Sequence, residues 1–424
     1  MVSDADIVLT QIDRDELAGL ALTLGNIDSP SGQEKPVAEC VEAWLQQEGF
    51  VTKSLALTLE RPNIVGIYKG TGGGYSLLFN SHMDTSVSPQ DVWIHRDPLR
   101  AVEHQAWQEG DILYGNGIVN DKGPMACFLI AAKAIKKAGI SLMGDLILTA
   151  VPGEIEWEPV DEFQPPQYLS HEVGTRFIVT HGVIADYVVV AENTQFGFGP
   201  LEAGIAHFKI TLFGGPTLYA PYINRPYTLK ENPNAIVQMG KLMERIEDWA
   251  LDYERKHTYI SPAGTLIPKV NIGAIRGGAP SHPIVTPEVC SMYIDCRTAP
   301  GQDALAIKAE LEEIVRSLEL EGEVELFVFR RGYEAQSIDR LAEAVGRAHE
   351  KLFGEKIKIV SGPRASMWRD TNIFNEVGIP AASYGPGAGR GGGNVCVPLD
   401  DLHKAAQAYA LIALDICNQK KIAQ

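Results

Sequence analysis

His82 and Asp84 close the stretch Leu77-Leu78-Phe79-Asn80-Ser81-His82-Met83-Asp84, an apolar strand running into an imidazole and then a carboxylate. Residues i and i+2 share a strand face, so Asp84 can reach back to His82, fix its tautomer and make the other nitrogen a better metal ligand. Alone, such a pair is often plain surface. Three more acids follow in order. A glycine-rich loop, Gly115-Asn116-Gly117-Ile118-Val119-Asn120-Asp121, delivers Asp121 just ahead of an apolar helix at 125–137. The buried-strand run Leu146 to Ala150 leads through Val151-Pro152-Gly153 into Glu154, and Tyr187-Val188-Val189-Val190-Ala191 ends at Glu192. Three strands ending in His or Glu, with a loop aspartate, gather donors where open α/β sheets bind ligands. One acid could be a solvated loop. The whole ordered set is far less readily read that way and points to a metal site.

The elements that must position these residues alternate. Ser31 and Glu34 form a capping-box pattern before a helix with Val37, Val41, Trp44 and Leu45 on one stripe. Strands are predicted at 63–68 and 76–80, joined by a hairpin turn at Thr71-Gly72-Gly73-Gly74. Strand 145–151, helix 174–182 and strand 186–192 continue an α/β unit. Between them, 156–169 is a Pro-rich stretch whose Trp157, Phe163 and Tyr168 either line a pocket or pack the loop down. From Leu201 the pattern turns α+β: strands 207–213, 270–276, 288–297 and 323–330, with helices 234–255 and 303–318. Helix 337–353, strands 357–361 and 380–384 and a last helix 402–417 return to the first pattern.

With 424 residues, two domains are expected. The net charge of −17 disfavours nucleic acid and anionic membranes as partners. No run approaches the ~20 apolar residues of a membrane span. The acidic start lacks the pattern of a secretory signal, and six scattered cysteines without Cys-x-x-Cys fit a reducing, cytoplasmic setting.

His82, Asp84, Asp121, Glu154 and Glu192, with Ser29-Pro30-Ser31-Gly32-Gln33-Glu34 before them and Tyr384-Gly385-Pro386-Gly387 after, resemble the co-catalytic zinc aminoacylase and carboxypeptidase family. That family includes acetylornithine deacetylase, succinyl-diaminopimelate desuccinylase and glutamate-releasing carboxypeptidases. The resemblance implies a mixed-sheet α/β catalytic domain with helices on both faces, at 1–200 and 332–424, and an inserted α+β lid and dimerisation domain at 201–331. It implies a homodimer, a small-molecule substrate, a bridging Asp121 between two metal ions, and His82 and Glu192 on one of them. Glu154 matches the general base, and Asp84 is the partner of His82 in the His-x-Asp motif. Tyr219 stands where the family has its lid histidine, ahead of Asn234-Ala235-Ile236. Arg297 resembles a substrate-carboxylate clamp, and His282 and Arg369 fall in substrate-contacting loops.

Two departures strike the same metal. The family's second glutamate is Ile155, and no histidine follows the Gly-Pro-Gly turn before His403. The expectation is therefore an amidohydrolase of N-acyl or N-carbamoyl amino acids or small dipeptide-like amides with one zinc, for which manganese or cobalt can substitute. A rebuilt pair using Glu156, Glu158, Cys396 or His403 is one alternative. A catalytically silent ligand-binding protein is the other. His181, near Glu192 in sequence, is a further residue to test.

Overall fold

The computed structural model describes residues 3–86, 105–155, 157–164, 166–225, 228, 231–391 and 394–421. The chain divides into two compact units. One comprises Met1–Pro200, Ala335–Val360 and Arg369–Gln424; the other comprises Leu201–Glu334 and Ser361–Trp368.

The first unit opens with helices α1 (Asp4–Leu9), α2 (Arg14–Gly25) and α3 (Lys35–Gln47). Val37, Val41 and Leu45 recur at helical spacing and are buried. The capping box is not used. Glu34 precedes α3 without a side-chain cap, because its carboxylate is taken by Arg61 and the Gly32 amide. Strands β1 (Val51–Leu55), β2 (Asn63–Tyr68) and β3 (Leu77–His82) follow, then the short β4 (Trp107–Glu109) and β5 (Ile112–Tyr114). Next come α4 (Gly123–Lys137), β6 (Leu146–Val151), α5 (Thr175–Thr180) and β7 (Tyr187–Val190).

The second unit holds β8 (Leu201–Glu202), β9 (Gly204–Phe213), α6 (Ala235–His257), β10 (Tyr259–Ser261), β11 (Gly264–Leu266), β12 (Val270–Gly277), β13 (Val289–Thr298), α7 (Ala304–Ser317), β14 (Gly322–Arg330) and β15 (Tyr333–Glu334). Strands β12-β13-β9-β14 form an antiparallel sheet. Phe208, Ile210 and Leu212 share its core with Met239, Leu242 and Ile246 of α6 and Leu311 of α7.

The chain re-enters the first unit for α8 (Asp339–Phe353), α9 (Thr371–Glu376), β16 (Ala381–Ser383), β17 (Gly389–Gly391), β18 (Asn394–Pro398) and α10 (Leu399–Cys417). Its central sheet runs β1-β2-β6-β3-β7-β16. Strands β6, β3, β7 and β16 are parallel; β1 and β2 are antiparallel additions, so the sheet is mixed. Strands β3 and β6 are buried along their whole length, as parallel strands covered on both faces should be.

Two sequence expectations are corrected here. Thr71-Gly72-Gly73-Gly74 is not a hairpin turn, because β6 lies between β2 and β3 and the Thr71 amide bonds Leu142 O at 2.8 Å. The strand expected at 357–361 is a single bridge between Phe198 and Ile359, since the chain at Gly199 already turns to pair with Ser383. The aromatics of the Pro-rich stretch pack on one another, with ring centroids at 6.0 Å for Trp157 and Tyr168 and 5.4 Å for Phe163 and Tyr168. None of the six cysteines is in a disulfide. Among the described residues, no helix is long and apolar enough to cross a membrane.

Candidate metal and catalytic site

Parallel pairing of β3 with β6 sets His82 opposite Val151, so the strand ends deliver His82 and, three residues past Val151, Glu154 to the same edge. Asp121 arrives from the turn before α4, and Glu192 from two residues past β7. His82, Asp121 and Glu192 each offer a ligand atom, all within 4.8 Å of one another and all buried.

The Asp84 backbone carbonyl lies 2.9 Å from His82 Nδ1. A carbonyl oxygen only accepts, so Nδ1 carries the proton of the neutral ring and Nε2 presents its lone pair. Nε2 faces Asn120 Oδ1 at 3.3 Å, Glu154 Oε2 at 3.6 Å and Glu192 Oε1 at 4.0 Å. The sequence had the Asp84 carboxylate orienting this ring. Its Oδ1 stands 3.5 Å from Nδ1, and the same carboxylate also serves the backbone. Oδ1 accepts from the Glu154 amide at 3.2 Å and Oδ2 from the Ile155 amide at 2.9 Å. Asp84 therefore holds the backbone of the base-bearing turn. Replacing it with asparagine would set an NH2 group against one of those N–H groups. Asp84→Asn is expected to lower kcat about 10–100-fold, with melting temperature and ion content measured alongside to separate misfolding from mispositioning.

Both carboxylate oxygens of Asp121 are buried without a hydrogen-bond partner. A buried carboxylate in that state is costly unless a cation meets it. Burial first, then the neighbouring Glu192, raises the Asp121 pKa well above the carboxylate range. Burial likewise raises Glu154 well above its ordinary value, with Glu192, Asp370 and Asp84 adding and His82 opposing. For His82 burial opposes charge, yet Glu154, Asp84 and Asp121 outweigh it and push the imidazole upward. The site concentrates negative charge. One imidazole and two carboxylates is the donor set of an open zinc centre, so these residues fit one ion.

Among the described residues, none of the candidates for a second ion joins this group. Ile155 offers no donor side chain. His403 Nε2 turns to Ile12 O at 3.4 Å. Glu158 Oε1 accepts from Ser170 Oγ at 2.6 Å and faces His171 Nδ1 at 3.1 Å. Cys396 is buried in β18 opposite Tyr114, and Glu156 lies outside the described residues. Among the described residues, His82, Asp121 and Glu192 are the one group able to hold a metal ion.

Arg369 is buried in the first unit, its Nε 3.5 Å from Glu192 Oε2. His181 is not drawn in: it stacks on Phe177 and its Nδ1 meets Phe177 O at 2.7 Å. The other four candidates belong to the second unit. Tyr219 is half exposed and bridges Val285. Asn234 caps α6, accepting from the Ile236 amide at 3.0 Å. Arg297 Nε donates to Asp295 at 3.0 Å. His282 is exposed, its amide bonded to Ala279 O at 2.9 Å.

Sequence reading passed over the support beneath the site. Asp370 Oδ2 accepts from Asn80 Nδ2 at 2.8 Å and Thr175 Oγ1 at 2.6 Å, and Thr149 Oγ1 donates to Asn80 Oδ1 at 2.7 Å. The signal was available: Asn80 and Thr149 are polar residues inside fully buried strands. Arg61 was also missed. It is buried against Glu34, donating through Nε to Oε2 at 2.9 Å and through Nη2 to Oε1. It also donates to Ser31 Oγ at 3.2 Å, to Pro166 O at 3.0 Å and to Leu169 O. Gly153, just before the base, has φ +74° and leaves no room for a Cβ beside Val173 and Arg61.

Residues 78–415 match the pattern of peptidase family M20/M25/M40. The chain belongs to this family. The N-formyl-4-amino-5-aminomethyl-2-methylpyrimidine deformylase of Bacillus subtilis (strain 168) is 27% identical over 329 residues, 72% of this chain and 68% of that protein. Carboxypeptidase G2 of Pseudomonas sp. (strain RS-16) is 28% identical over 339 residues, 77% of this chain and 71% of that one. A solved Bacillus subtilis structure, described as a dinuclear metal-binding peptidase of the M20 family, shares the fold with a TM-score of 0.62. It is 15% identical, and the match covers 95% of this chain and 98% of that chain. As an M20 member carrying the ion triad, the chain is a metal-dependent amidohydrolase, and the silent binding protein is set aside.

Proposed function

We propose that this M20 protein uses one divalent ion to hydrolyse the C–N bond of an N-acyl (formyl included) or N-carbamoyl amino acid, or of a small dipeptide-like amide. The observation that carries this is the buried, unpartnered Asp121 carboxylate beside His82 and Glu192, with Glu154 against the same imidazole nitrogen. Zinc suits the donor set, and manganese or cobalt can substitute. When bound, the ion supplies Lewis acidity, which polarises the scissile carbonyl and lowers the pKa of water towards about 7.

The protein's own residues do the rest. His82, Asp121 and Glu192 hold the ion. Glu154 takes a proton from the attacking water and passes it to the leaving nitrogen, a role that its raised pKa, caused first by burial, suits. Asp84 keeps that base in place through two amides. The same reading makes the second unit the surface of a homodimer, supported by the exposed edge strand β12 with Ile275 in the open.

Elemental analysis of protein purified without chelator tests the ion reading, run beside a panel of N-formyl, N-acyl and N-carbamoyl amino acids and dipeptides. Close to one ion per chain is expected, lost in Asp121→Asn together with turnover. Two ions would reveal a second site. No ion after zinc, manganese and cobalt are offered, with no turnover, would overturn the proposal.

A further inference from the structure

We propose that the buried Arg369 guanidinium occupies the electrostatic role of a second metal ion, positioning Glu192 as a carboxylate shared between one divalent ion and one fixed organic cation. This rests on the hydrolytic reading above and adds a residue to it.

The site draws Asp84, Asp121, Glu154, Glu192 and Asp370 into a largely buried cluster. A related structure is described as dinuclear, whereas here Ile155 and the absence of a histidine between Gly387 and His403 remove the two ligands that the resemblance assigns to a second ion. A fixed cation beside this cluster would offset part of its negative charge. Among the described residues, the buried lysines and arginines are Arg61, Lys122 and Arg369. Arg61 is engaged by Glu34, and Lys122 Nζ donates to Ile27 O at 2.6 Å. Arg369 alone of the three forms an ion pair with a member of the triad.

The geometry is that of a shared carboxylate. Glu192 Oε1 faces the ion side, 4.0 Å from His82 Nε2, while Oε2 faces Arg369 Nε at 3.5 Å. The chain beside the guanidinium is anchored: the next residue, Asp370, is pinned by Asn80 from β3 and Thr175 from α5. Arginine keeps its charge at any working pH, so this cation cannot be titrated off or chelated away. A planar donor beside a carboxylate in a low-dielectric setting also fixes that carboxylate's orientation.

The test uses zinc-loaded wild type, Arg369→Met and Arg369→Lys, measuring ions per chain, zinc dissociation by chelator competition, kcat and KM. The proposal expects one ion in wild type. In R369M, kcat should fall at least about tenfold while zinc binds about tenfold more tightly, because a nearby positive charge has gone. R369K should move both values back towards wild type. A merely structural role would loosen zinc and lower the melting temperature together, and that result overturns the proposal. So does an R369M with kcat within about twofold of wild type, since positioning groups beside a ligand usually matter about 10–100-fold. If R369M does not fold, Arg369→Gln carries the same expectation. An inactive, ion-free wild type would sink the hydrolytic reading itself, whereas an active one-ion wild type with indifferent Arg369 variants would sink only this inference.

Discussion

Replacing Glu154 with glutamine is expected to cut turnover by about 10²–10⁴-fold, the contribution of a positioned general base, while the chain keeps its ion. Glutamine preserves the size and hydrogen-bonding reach of the side chain but cannot accept a proton. Glu154 stands 3.6 Å from His82 Nε2 and is 11% exposed, so no bulk water shares its task freely. Its raised pKa, caused first by burial and then by Glu192, Asp370 and Asp84, suits a group that must hold a proton between two steps. The ion should stay because His82, Asp121 and Glu192 form the binding group without it. Single-turnover rates and elemental analysis on the same preparation check both halves. Retention of more than about a tenth of the rate would place the base elsewhere, since even a weak general base contributes about 10²-fold.

The second large effect is on stability. Arg61→Met should destabilise the first unit by about 3–5 kcal/mol, the usual result of stripping one partner from a buried ion pair. Glu34 would keep the Gly32 amide at 3.0 Å but lose both guanidinium contacts. Its pKa is already raised, mainly by burial, with Asp84 adding and Arg61 opposing. The carbonyls of Pro166 and Leu169 would lose their donor as well. Denaturant unfolding followed by tryptophan fluorescence reads the loss. Arg61→Met combined with Glu34→Gln should recover a large part of it, because no uncompensated charge then remains. A single variant within about 1 kcal/mol of wild type would mean the pair behaves like an exposed one.

The site was legible because its residues sit at strand ends. Apolar runs closing on His82, before Glu154 and at Glu192 carry their own signal, and Ile155 stands where the resemblance expects a second glutamate. The sheet order was not legible. A glycine cluster between two apolar runs reads as a hairpin, but nothing local reveals that β6, some 70 residues on, inserts between β2 and β3. Glu34 reads as a helix cap until Arg61 claims it, since propensity patterns ignore a partner 27 residues away. Arg369 next to Asp370 suggests an ion pair with its neighbour. Only the tertiary fold turns Asp370 to Asn80 and Thr175 and leaves Arg369 beside Glu192.

Where the chain first leaves the first unit and first returns to it, Ala335 N donates to Pro200 O at 2.8 Å. To the catalytic sheet, the long excursion from Leu201 to Glu334 thus resembles a tight turn, because its ends are already tied. For a flexible connection, each doubling of length adds only about 0.6 kcal/mol of closure entropy, and the excursion is ordered with Ser361–Trp368 as a compact unit of its own. Insertions or deletions inside it should therefore leave the register of β3 against β6 untouched. The scaffold that presents the ion and the scaffold carried on the excursion are free to diverge at different rates.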